Sequence, residues 1–363
     1  MNFKNKQAVY YLFNKTLWRR KDVNAMTDTV ELLEFLTRPS ARLVADIPKI
    51  EGDILILGAG GKVGPSLAIM AARACKEAGI QKRILAVSLF DRPGTAEALR
   101  GYGVEVLETD FSDPKELAVL PDCPNIIFMA GRKFGTSGNQ SLTWAANVLL
   151  PSKVCERFPE ARFVVFSTGN IYGDVPVLSG GSVEGDEPRP DGEYGQTCLG
   201  RERIFEYYAG KNCTKSLLFR LNYAIELRYG VLFDIASAVY NGSPVSLARG
   251  VYNCVWQGDV CEYALRCLPL ASNPPCALNV TGPQCISTRW TAARFGEIFG
   301  KTPVFSCEER PCGIYSNTTK LGGLLGNPLI TLDEMICRQA EWILAGGESI
   351  AAPTHFEQSN GKY

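Results

Sequence analysis

Histidine is nearly absent from this chain of 363 residues, which contains only His355, close to its C-terminal end. A Ser-His-Asp or Cys-His catalytic group needs an imidazole beside its nucleophile, so the body of the protein does not carry one. Zinc sites usually combine histidine with closely spaced cysteines. Because none of the thirteen cysteines forms a CxxC pair, we expect no metal site.

Net charge and long apolar runs are missing too. Thirty-eight Lys and Arg balance thirty-eight Asp and Glu, so overall charge favours neither a nucleic-acid partner nor an anionic membrane surface. No run of about 18 apolar residues occurs, so no membrane span is predicted. Scattered cysteines without a disulfide framework indicate reduced, mostly buried thiols and a cytoplasmic location.

The first 25 residues are basic and differ in character from the rest of the chain, with six Lys or Arg against Asp22 alone. We expect residues 1–25 to be a disordered extension or to lie upstream of the true start, with an organellar transit segment as the alternative. Asp28 predicts the N-cap of a helix near 28–37, and Pro39 predicts its end. A second short helix at about 40–46 completes an N-terminal helical unit, residues 26–50.

Strand and helix patterns alternate six times between residues 51 and 222. This alternation predicts an α/β fold, a Rossmann-like doubly wound parallel sheet. The expected strands are short apolar runs at 53–61, 83–91, 104–110, 125–131, 162–169 and 216–222. The expected helices lie at 64–78, 95–103, 114–119 and 143–158, the last despite its Pro151, followed by the helix that carries Tyr194.

From residue 223 the alternation weakens. We expect a smaller C-terminal α/β substrate region, 223–345, followed by an irregular tail, 346–363. Ligands of doubly wound sheets bind at the carboxyl ends of the strands. The loop 174–193, rich in Gly, Pro and acidic residues, is therefore expected to be mobile and to close over a small-molecule substrate.

A glycine loop, GAGGKVG, follows the first predicted strand and opens the first long helix. Gly58, Gly61 and Gly64 would permit a sharp turn and close approach of a diphosphate, and the helix start offers free N–H groups. Lys62 and Val63 lie within the same loop. The pattern favours dinucleotide binding over a turn that is merely tight.

Asp91 and Arg92 follow the second predicted strand. An acidic residue there can hold the adenosine ribose hydroxyls, which favours NAD, whereas Arg92 suits a 2′-phosphate, which leaves NADP open. The alternative for Asp91 is a cap within the DRPG turn.

Further segments follow in order: ETDFSD, FMAG, WAANV, FSTGNIYG, YGQTCLGRE, FRLNYA and WQGDV. With GAGGKVG they resemble an extended short-chain dehydrogenase/reductase of the NAD-dependent epimerase/dehydratase family, over about Asp53 to Val304. The resemblance implies cofactor contacts at Asp110, Phe111, Ala130, Gly131, Asn147, Tyr194 and Asn222, and places Asp259 in the substrate region.

The resemblance also implies a catalytic Tyr194 and a catalytic hydroxyl at Thr168, but Cys198 stands where the family has lysine. A phenol with a pKa near 10 acts as a base at neutral pH only if a cation stabilises its phenolate. Arg201, on the same helix face, is one candidate replacement, and the charge of bound NAD⁺ is another. We expect Cys198 to be a packed thiol, with a nucleophile as the alternative.

Two functions remain open. The first is an NAD(P)-dependent oxidoreductase, epimerase or dehydratase acting on a hydroxyl or carbonyl carbon of a sugar or nucleotide-sugar-like substrate, either as a monomer or as a homodimer. The second is a weak or inactive NAD(P)-binding protein with a regulatory role. Tyr194 favours the first and Cys198 the second.

Overall fold

The computed structural model describes residue 26 and residues 28–133, 138–351 and 354–356. The predicted basic extension, 1–25, and the last residues of the predicted tail, 357–363, lie outside the described residues. In the described part of the tail no helix or strand occurs after residue 344.

Two short helices open the described chain, α1 (Thr29–Thr37) and α2 (Ala41–Asp46). Asp28 Oδ1 accepts hydrogen bonds from Val30 N at 2.9 Å and Glu31 N at 2.8 Å, which confirms the predicted N-cap. Ser40 caps α2 in the same way, through Leu43 N. Leu32 and Leu36 are buried, so α1 belongs to the folded core.

Seven parallel strands form the central sheet. In chain order they are β1 (Ile54–Leu57), β2 (Ile84–Ser88), β3 (Glu105–Glu108), β4 (Asn125–Phe128), β5 (Arg162–Thr168), β6 (Lys215–Leu221) and β7 (Cys276–Val280). Their spatial order is β7-β6-β5-β4-β1-β2-β3, and every neighbouring pair is parallel. Successive strands are added on one side of β1 up to β3 and on its other side from β4 onward. The boundary between β1 and β4 is therefore the switch point of a doubly wound sheet. The predicted fold class and all six predicted strands are confirmed.

Helices cover both faces of this sheet. They are α3 (Gly64–Glu77), α4 (Thr95–Gly101), α5 (Pro114–Ala118), α6 (Gln140–Trp144), α7 (Leu150–Arg157) and α8 (Gly192–Asn212). Alternate residues of β1 face different cores: Ile54 and Ile56 join one apolar cluster, and Leu55 and Leu57 join another. Two buried faces explain why the strands read as continuous apolar runs.

The predicted helix over 143–158 is interrupted between α6 and α7 by a π-helical turn, Ala145–Leu149. Within it Leu150 N donates to Ala145 O, five residues back. Pro151 has no N–H to donate to the Asn147 carbonyl, four residues earlier, and a widened turn accommodates that loss. The structure thus keeps the predicted helical segment but breaks its regular hydrogen bonding.

The C-terminal part contains five helices, α9 (Val231–Asn241), α10 (Gln257–Arg266), α11 (Thr288–Phe299), α12 (Thr319–Leu325) and α13 (Leu332–Leu344). The helices α9, α11 and α13 build a third core, whereas α10 and α12 pack into the first cluster on the sheet. Trp256 and Tyr252 are buried in this third core. The region is not separate from the sheet, because β7 comes from it and pairs with β6. The predicted six-stranded sheet was therefore one strand short.

Four two-residue strand pairs tie the loops together. Val175–Pro176 pairs with Cys312–Gly313, Ala224–Ile225 with Val255–Trp256, Val251–Tyr252 with Ile286–Ser287, and Val245–Ser246 with Phe305–Ser306. Short 3-10 turns lie at Ile47–Lys49, Gly169–Ile171, Val177–Ser179 and Leu268–Leu270.

Among the described residues, no helix combines the length and the apolar character that a membrane crossing requires. All thirteen cysteines are free thiols.

Candidate functional site

The glycine loop packs too tightly for side chains at two of its three predicted glycines. Gly58 has φ +90°, and a Cβ there would lie 2.6 Å from Ala130 N. A Cβ on Gly64 would lie 2.2 Å from Ala59 O. These two positions require glycine because the loop folds against the end of β4 and against itself.

Gly61 differs from its neighbours, since a Cβ there would meet nothing nearer than Gly58 O at 3.6 Å. It is exposed and lies just before the N-terminus of α3. Gly60 was not predicted, but it is constrained in the same way as Gly58 and Gly64, because an added Cβ there would lie 2.6 Å from Ser88 Oγ. No contact within the described chain explains a glycine at 61, and the space beside it is open to a ligand.

The side chain of Lys62 extends from the glycine loop to the C-terminal region. Its Nζ donates to Ala224 O at 2.7 Å and lies 4.1 Å from the centre of the Tyr229 ring. Burial lowers the pKa of Lys62 to about 7, with Glu226 acting in the opposite direction. Val63 lies beside it in the same cavity wall.

The predicted adenosine contacts lie at the ends of β2 and β3. Asp91 and Arg92 are both exposed, three and four residues beyond β2. Asp110 is exposed too, and its Oδ1 accepts from Ser112 N at 3.0 Å and Ser112 Oγ at 2.7 Å. Phe111 is buried in the core below. The carboxylates remain accessible to a ligand, although Asp110 also closes a local turn.

A cavity of about 270 Å³ opens at the carboxyl ends of the strands. It brings together seven of the predicted site residues, namely Lys62, Val63, Gly131, Thr168, Tyr194, Arg201 and Asn222. Gly58, Gly61, Gly64, Ala130, Asn147 and the four residues Asp91, Arg92, Asp110 and Phe111 lie outside its lining.

Tyr194 and Thr168 meet in the wall of this cavity. Thr168 and Cys198 both lie close enough to the Tyr194 hydroxyl to act on its pKa. Burial is the main cause that raises the pKa of Tyr194 well above its usual range. Cys198 raises that pKa further, whereas Arg201 and Thr168 lower it. The phenol therefore stays protonated unless a further positive charge comes close.

Cys198 is 1% exposed and packs among Ile171, Tyr172 and Leu199. Burial raises the pKa of its thiol above the ordinary value, so the thiolate is disfavoured. A nucleophilic cysteine needs the opposite shift. The surroundings agree with a packed thiol.

Arg201 is buried and is held by oxygen atoms of the protein. Nη1 donates to Phe166 O at 2.6 Å, Nη2 to Asn147 Oδ1 at 2.9 Å and Nε to Asn147 O at 3.4 Å. The Asn147 carbonyl is the one left without its helical donor by Pro151. No carboxylate of the described chain forms an ion pair with Arg201.

Asn147 links three elements. Its amide donates to Arg132 O at 3.0 Å and to Thr197 Oγ1 at 2.9 Å, and its Oδ1 accepts from Arg132 N at 2.8 Å. A Cβ on Gly131 would lie 2.3 Å from Arg201 Nη2, so this glycine makes room for the guanidinium. Asn147 thus shapes the site from behind and does not line the cavity.

Asn222 closes the cavity at the end of β6. Its amide donates to Asn253 Oδ1 at 3.2 Å and Ser316 Oγ at 3.1 Å. A Cβ on Gly169 would lie 1.9 Å from Asn222 Oδ1, which explains the glycine after Thr168.

The cavity wall also contains residues that were not predicted as site residues, among them Met129, Lys133, Ile314 and Thr354. Lys133 comes two residues after Gly131. A basic residue shortly after a predicted strand is the sequence feature that could have marked Lys133 as a site residue. Burial lowers the pKa of Lys133 to about 8. No sequence pattern marks Ile314 and Thr354 as site residues, since only the fold brings them to the cavity.

The loop 174–193 was predicted to be mobile, and the structure anchors it on several sides. Arg249 Nε donates to Asp174 Oδ1 at 2.9 Å, and Glu184 Oε1 accepts from Asn279 N at 2.9 Å. Arg220 Nη1 donates to Glu184 O at 3.0 Å. The segment is therefore held by contacts with β6, β7 and the C-terminal region in this structure, and none of its residues lines the cavity.

Asp259, which the resemblance places in the substrate region, does not line the cavity. It is buried and accepts hydrogen bonds from Leu329 N at 2.8 Å and Ile330 N at 3.2 Å. Its position is explained by the chain segment it holds. Within the described residues, no group of three or more His, Cys, Asp or Glu is arranged to hold a metal ion.

Comparison with known proteins gave one family model and many solved structures. Residues 54–225 match the NAD dependent epimerase/dehydratase family. No curated protein matches the chain.

Similar structures include UDP-glucose 4-epimerase of Thermus thermophilus, solved with NAD (21% identity, 80% of this chain, 98% of that chain, TM-score 0.62). Another is UDP-glucuronic acid 4-epimerase of Bacillus cereus, also solved with NAD (17%, 80%, 98%, TM-score 0.66). The UDP-Glc/GlcNAc 4-epimerase of Campylobacter jejuni is similar to the same degree (17%, 81%, 99%, TM-score 0.65). At these identities the three structures show a shared fold. Residues 54–225, slightly less than half of the chain, are thus similar in sequence to the NAD dependent epimerase/dehydratase family.

Proposed function

We propose that the protein is an NAD-dependent enzyme of the epimerase/dehydratase type that acts on a hydroxyl-bearing carbon of a nucleotide sugar. One observation carries this function: Tyr194 and Thr168 lie together in the wall of a cavity at the carboxyl edge of a doubly wound sheet, and Thr168 acts on the pKa of the Tyr194 phenol. The family match and the three 4-epimerases of similar fold support it.

The glycine loop fits the diphosphate of NAD. Gly58 and Gly64 fold it tightly, while the exposed backbone at Gly61 leaves open space before α3. In this proposal Asp91 holds the adenosine ribose, Asp110 and Phe111 flank the adenine, and Ala130, Gly131 and Asn222 border the nicotinamide. Arg92 leaves NADP as the alternative cofactor. NAD, when bound, supplies the acceptor for a hydride from the sugar carbon.

Tyr194 is the proton acceptor of this proposal, and Thr168 donates a hydrogen bond to the reacting oxygen. A proton leaves the sugar hydroxyl for the phenolate of Tyr194 as its carbon is oxidised, and returns when the carbon is reduced. Both side chains line the same cavity.

The experiment compares wild type with Tyr194→Phe and Thr168→Val, using UDP-glucose, UDP-GlcNAc and UDP-glucuronic acid. NAD affinity is measured by calorimetry and epimer formation by NMR. We expect turnover in the wild type, and a loss of about 10²–10⁴-fold in kcat for Tyr194→Phe with NAD affinity retained. No affinity for any nicotinamide cofactor would contradict the proposal.

A second function, NAD(P) binding without strong turnover, is favoured by one observation. Cys198 is a buried thiol in the place of the family's lysine, and its thiol adds no positive charge beside Tyr194. Tight NAD binding with no turnover on any of the three sugars, and no effect of Tyr194→Phe, would support this function over the first.

We further infer a homodimer through an apolar groove on α6, α7 and α8. The groove has no charged residue in its lining, which consists of Ser141, Trp144, Ala145, Val148, Leu149, Ser152 and Ile204. Trp144 is 42% and Leu149 54% exposed. A two-fold axis would place the groove against itself and cover both.

Light scattering after size exclusion tests the dimer. The wild type should have twice the mass of the chain, and Leu149→Glu should give the monomer. Leu178→Glu is the control, because Leu178 is 95% exposed elsewhere on the surface and its substitution should leave the dimer intact. A monomeric wild type would contradict the inference.

A cytoplasmic location is the remaining part of the proposal. Thirteen free thiols and no disulfide suit a reducing compartment. Fractionation of cells that express the full chain tests it.

A further inference from the structure

The C-terminal tail returns to the cavity that holds Tyr194 and Thr168. Thr354 is 3% exposed and forms part of the wall of this cavity. Phe356, two residues further on, is 5% exposed and belongs to the third core, where the centre of its ring lies 6.2 Å from that of Tyr252. This part of the tail is therefore built into the fold beside the site.

Two charged side chains of the C-terminal region hold the tail in place. Asp234 Oδ2, in α9, accepts hydrogen bonds from Thr354 N at 3.0 Å and from the Thr354 hydroxyl. Arg249 Nη1 donates to Phe356 O at 2.9 Å. Thr354 and Phe356 are thus anchored to residues that lie more than a hundred positions earlier in the chain.

Arg249 also connects the tail to the cavity wall and to the loop 174–193. Its Nη1 donates to Tyr223 OH at 3.0 Å, and Tyr223 lines the cavity. Its Nε donates to Asp174 Oδ1 at 2.9 Å, where the loop begins. One buried guanidinium therefore fixes the tail, the cavity wall and the loop relative to one another.

The chain beyond residue 225, where the family match ends, contributes five described residues to the cavity wall: Tyr229, Gly230, Val231, Ile314 and Thr354. The side chains of Val231 and Ile314 are apolar, and the Tyr229 ring lies under the Lys62 ammonium. Thr354 brings a small hydroxyl whose orientation is fixed by a carboxylate. It is therefore the best placed of these side chains to recognise a polar group in the cavity.

The hydrogen bonds of Thr354 determine what its hydroxyl can still bind. The hydroxyl proton is already donated to Asp234 Oδ2. One of the two lone pairs of the oxygen accepts from Phe356 N at 3.3 Å. The second lone pair has no donor among the described residues, so it can accept a hydrogen bond from a ligand in the cavity.

This arrangement selects the chemistry of the ligand group. A sugar hydroxyl has a proton to donate to the Thr354 oxygen. An ionised phosphate or carboxylate has none, and the Asp234 carboxylate behind the threonine would repel it. The Thr354 position therefore suits a neutral hydroxyl group and opposes an anion.

We propose that Thr354 is a substrate-binding residue, and that its oxygen, oriented by Asp234, accepts a hydrogen bond from a hydroxyl of the sugar. This inference rests on the proposed function, since it assigns a contact to the nucleotide sugar in the same cavity. It makes the C-terminal tail part of the substrate site.

The test compares wild type, Thr354→Val and Thr354→Ser by calorimetry in saturating NAD. The ligand is whichever of UDP-glucose, UDP-GlcNAc and UDP-glucuronic acid the wild type binds most tightly. Valine keeps the branched shape and removes the hydroxyl, so affinity should fall about five- to tenfold, as expected for one neutral hydrogen bond. Thr354→Ser keeps the hydroxyl and should bind as the wild type does. UDP and NAD should bind all three proteins equally.

Analogues of that nucleotide sugar, each lacking one sugar hydroxyl, separate a direct contact from an effect on the fold. One analogue should bind wild type and Thr354→Val with equal affinity, because the hydroxyl that Thr354 contacts is already missing. A difference between the two proteins that persists with every analogue would mean that Thr354 acts only through the fold, which overturns the inference.

Thr288→Val is the matched control. Thr288 is buried in the same region, and its hydroxyl donates to Arg249 O at 2.8 Å, but it does not line the cavity. This variant should leave the affinity for the nucleotide sugar unchanged. Thr354→Ala replaces Thr354→Val if the latter fails to fold.

The remaining outcomes separate this inference from the proposed function. Equal affinity of wild type and Thr354→Val for the nucleotide sugar overturns this inference alone. An equal loss of affinity for UDP or for NAD overturns the assignment of Thr354 to the sugar. A wild type that binds NAD but none of the three nucleotide sugars overturns the proposed function and this inference together.

Discussion

At the scale of single residues, Gly61 separates the needs of the fold from the needs of a ligand. Gly58 and Gly64 are fixed by contacts within the chain, whereas an added Cβ at Gly61 would make only an ordinary contact with Gly58 O at 3.6 Å. A side chain there would occupy the approach to the N-terminus of α3, where a diphosphate binds free N–H groups.

Gly61→Ala should therefore fold normally but lose NAD affinity by at least about tenfold, or about 1.4 kcal/mol. Gly210→Ala is the matched control, since a Cβ at Gly210, within α8, meets nothing within 4 Å and is tolerated as easily as one at Gly61. Thermal unfolding and calorimetry with NAD measure both variants. Equal NAD affinity in the two variants would show that the diphosphate does not bind at this loop.

Arg220 illustrates a residue whose charge serves the fold. It is bound to Glu202 at 2.7 Å, and their side chains are 7% and 1% exposed. Burial opposes the charge, but the pairing with Glu202 raises the pKa of Arg220 overall. Tyr172 OH accepts a further hydrogen bond from Nη1 at 2.6 Å. The arginine is not available to a substrate phosphate.

Arg220→Met should reduce the free energy of unfolding by about 3–5 kcal/mol, because it leaves Glu202 buried without its partner. The control is Arg203→Met in α8, whose ion pair with Glu206 is exposed and worth no more than about 1 kcal/mol. Urea denaturation compares them. Similar losses in both variants would mean that Glu202 is neutralised in some other way.

At the scale of elements, the π-helical turn between α6 and α7 organises the back of the site. It presents Asn147 to the loop after β4 and to α8 at once. Pro151 offers the Asn147 carbonyl no N–H donor, and Arg201 Nε donates a hydrogen bond to this carbonyl. One proline thus connects a helix irregularity to the position of a buried cation.

Asn147→Ala should destabilise the protein by about 2–4 kcal/mol, because buried groups of Arg132 and Arg201 lose their partner. It should also weaken NAD binding, since the loop that carries Gly131 and Lys133 loses its clamp. Thr143→Val is the control: Thr143 is equally buried in α6, but its hydroxyl bonds only within its own helix, to Asn139 O at 3.1 Å. Unchanged NAD affinity in Asn147→Ala would separate the clamp from the site.

The six strands up to β6 were predictable because each is a short apolar run that ends in glycine or polar residues. β7 was not assigned to the sheet, because Cys276–Val280 follows β6 by more than fifty residues and is only half-buried at its start. Residues directly after a strand, such as Gly131 and Asn222, could be placed at the binding edge. Thr354 could not, because no local pattern shows where a distant tail returns.

At the scale of the whole molecule, Asp259 connects the sheet-side helix α10 with the segment before α13. Both of its oxygens accept backbone N–H groups, from Leu329 and Ile330. Burial raises the pKa of Asp259 to about 6, those two hydrogen bonds lower it, Glu262 raises it and Arg42 lowers it. The folded state therefore holds this carboxyl's proton more tightly than the unfolded chain does.

This shift fixes the sign of a pH dependence. The stabilising contribution of Asp259 is complete below its ordinary value of 3.8 and is lost as the pH rises through about 6. A shift of about two units corresponds to about 3 kcal/mol. Asp259→Asn should remove that decline from the profile of unfolding free energy between pH 4 and pH 7, measured by urea denaturation. Asp28→Asn, which also changes an acceptor of two backbone N–H groups but on the surface, should keep the wild-type slope. Parallel profiles for wild type and Asp259→Asn would show that ionisation of Asp259 does not lower the free energy of unfolding. Other groups would then set its dependence on pH.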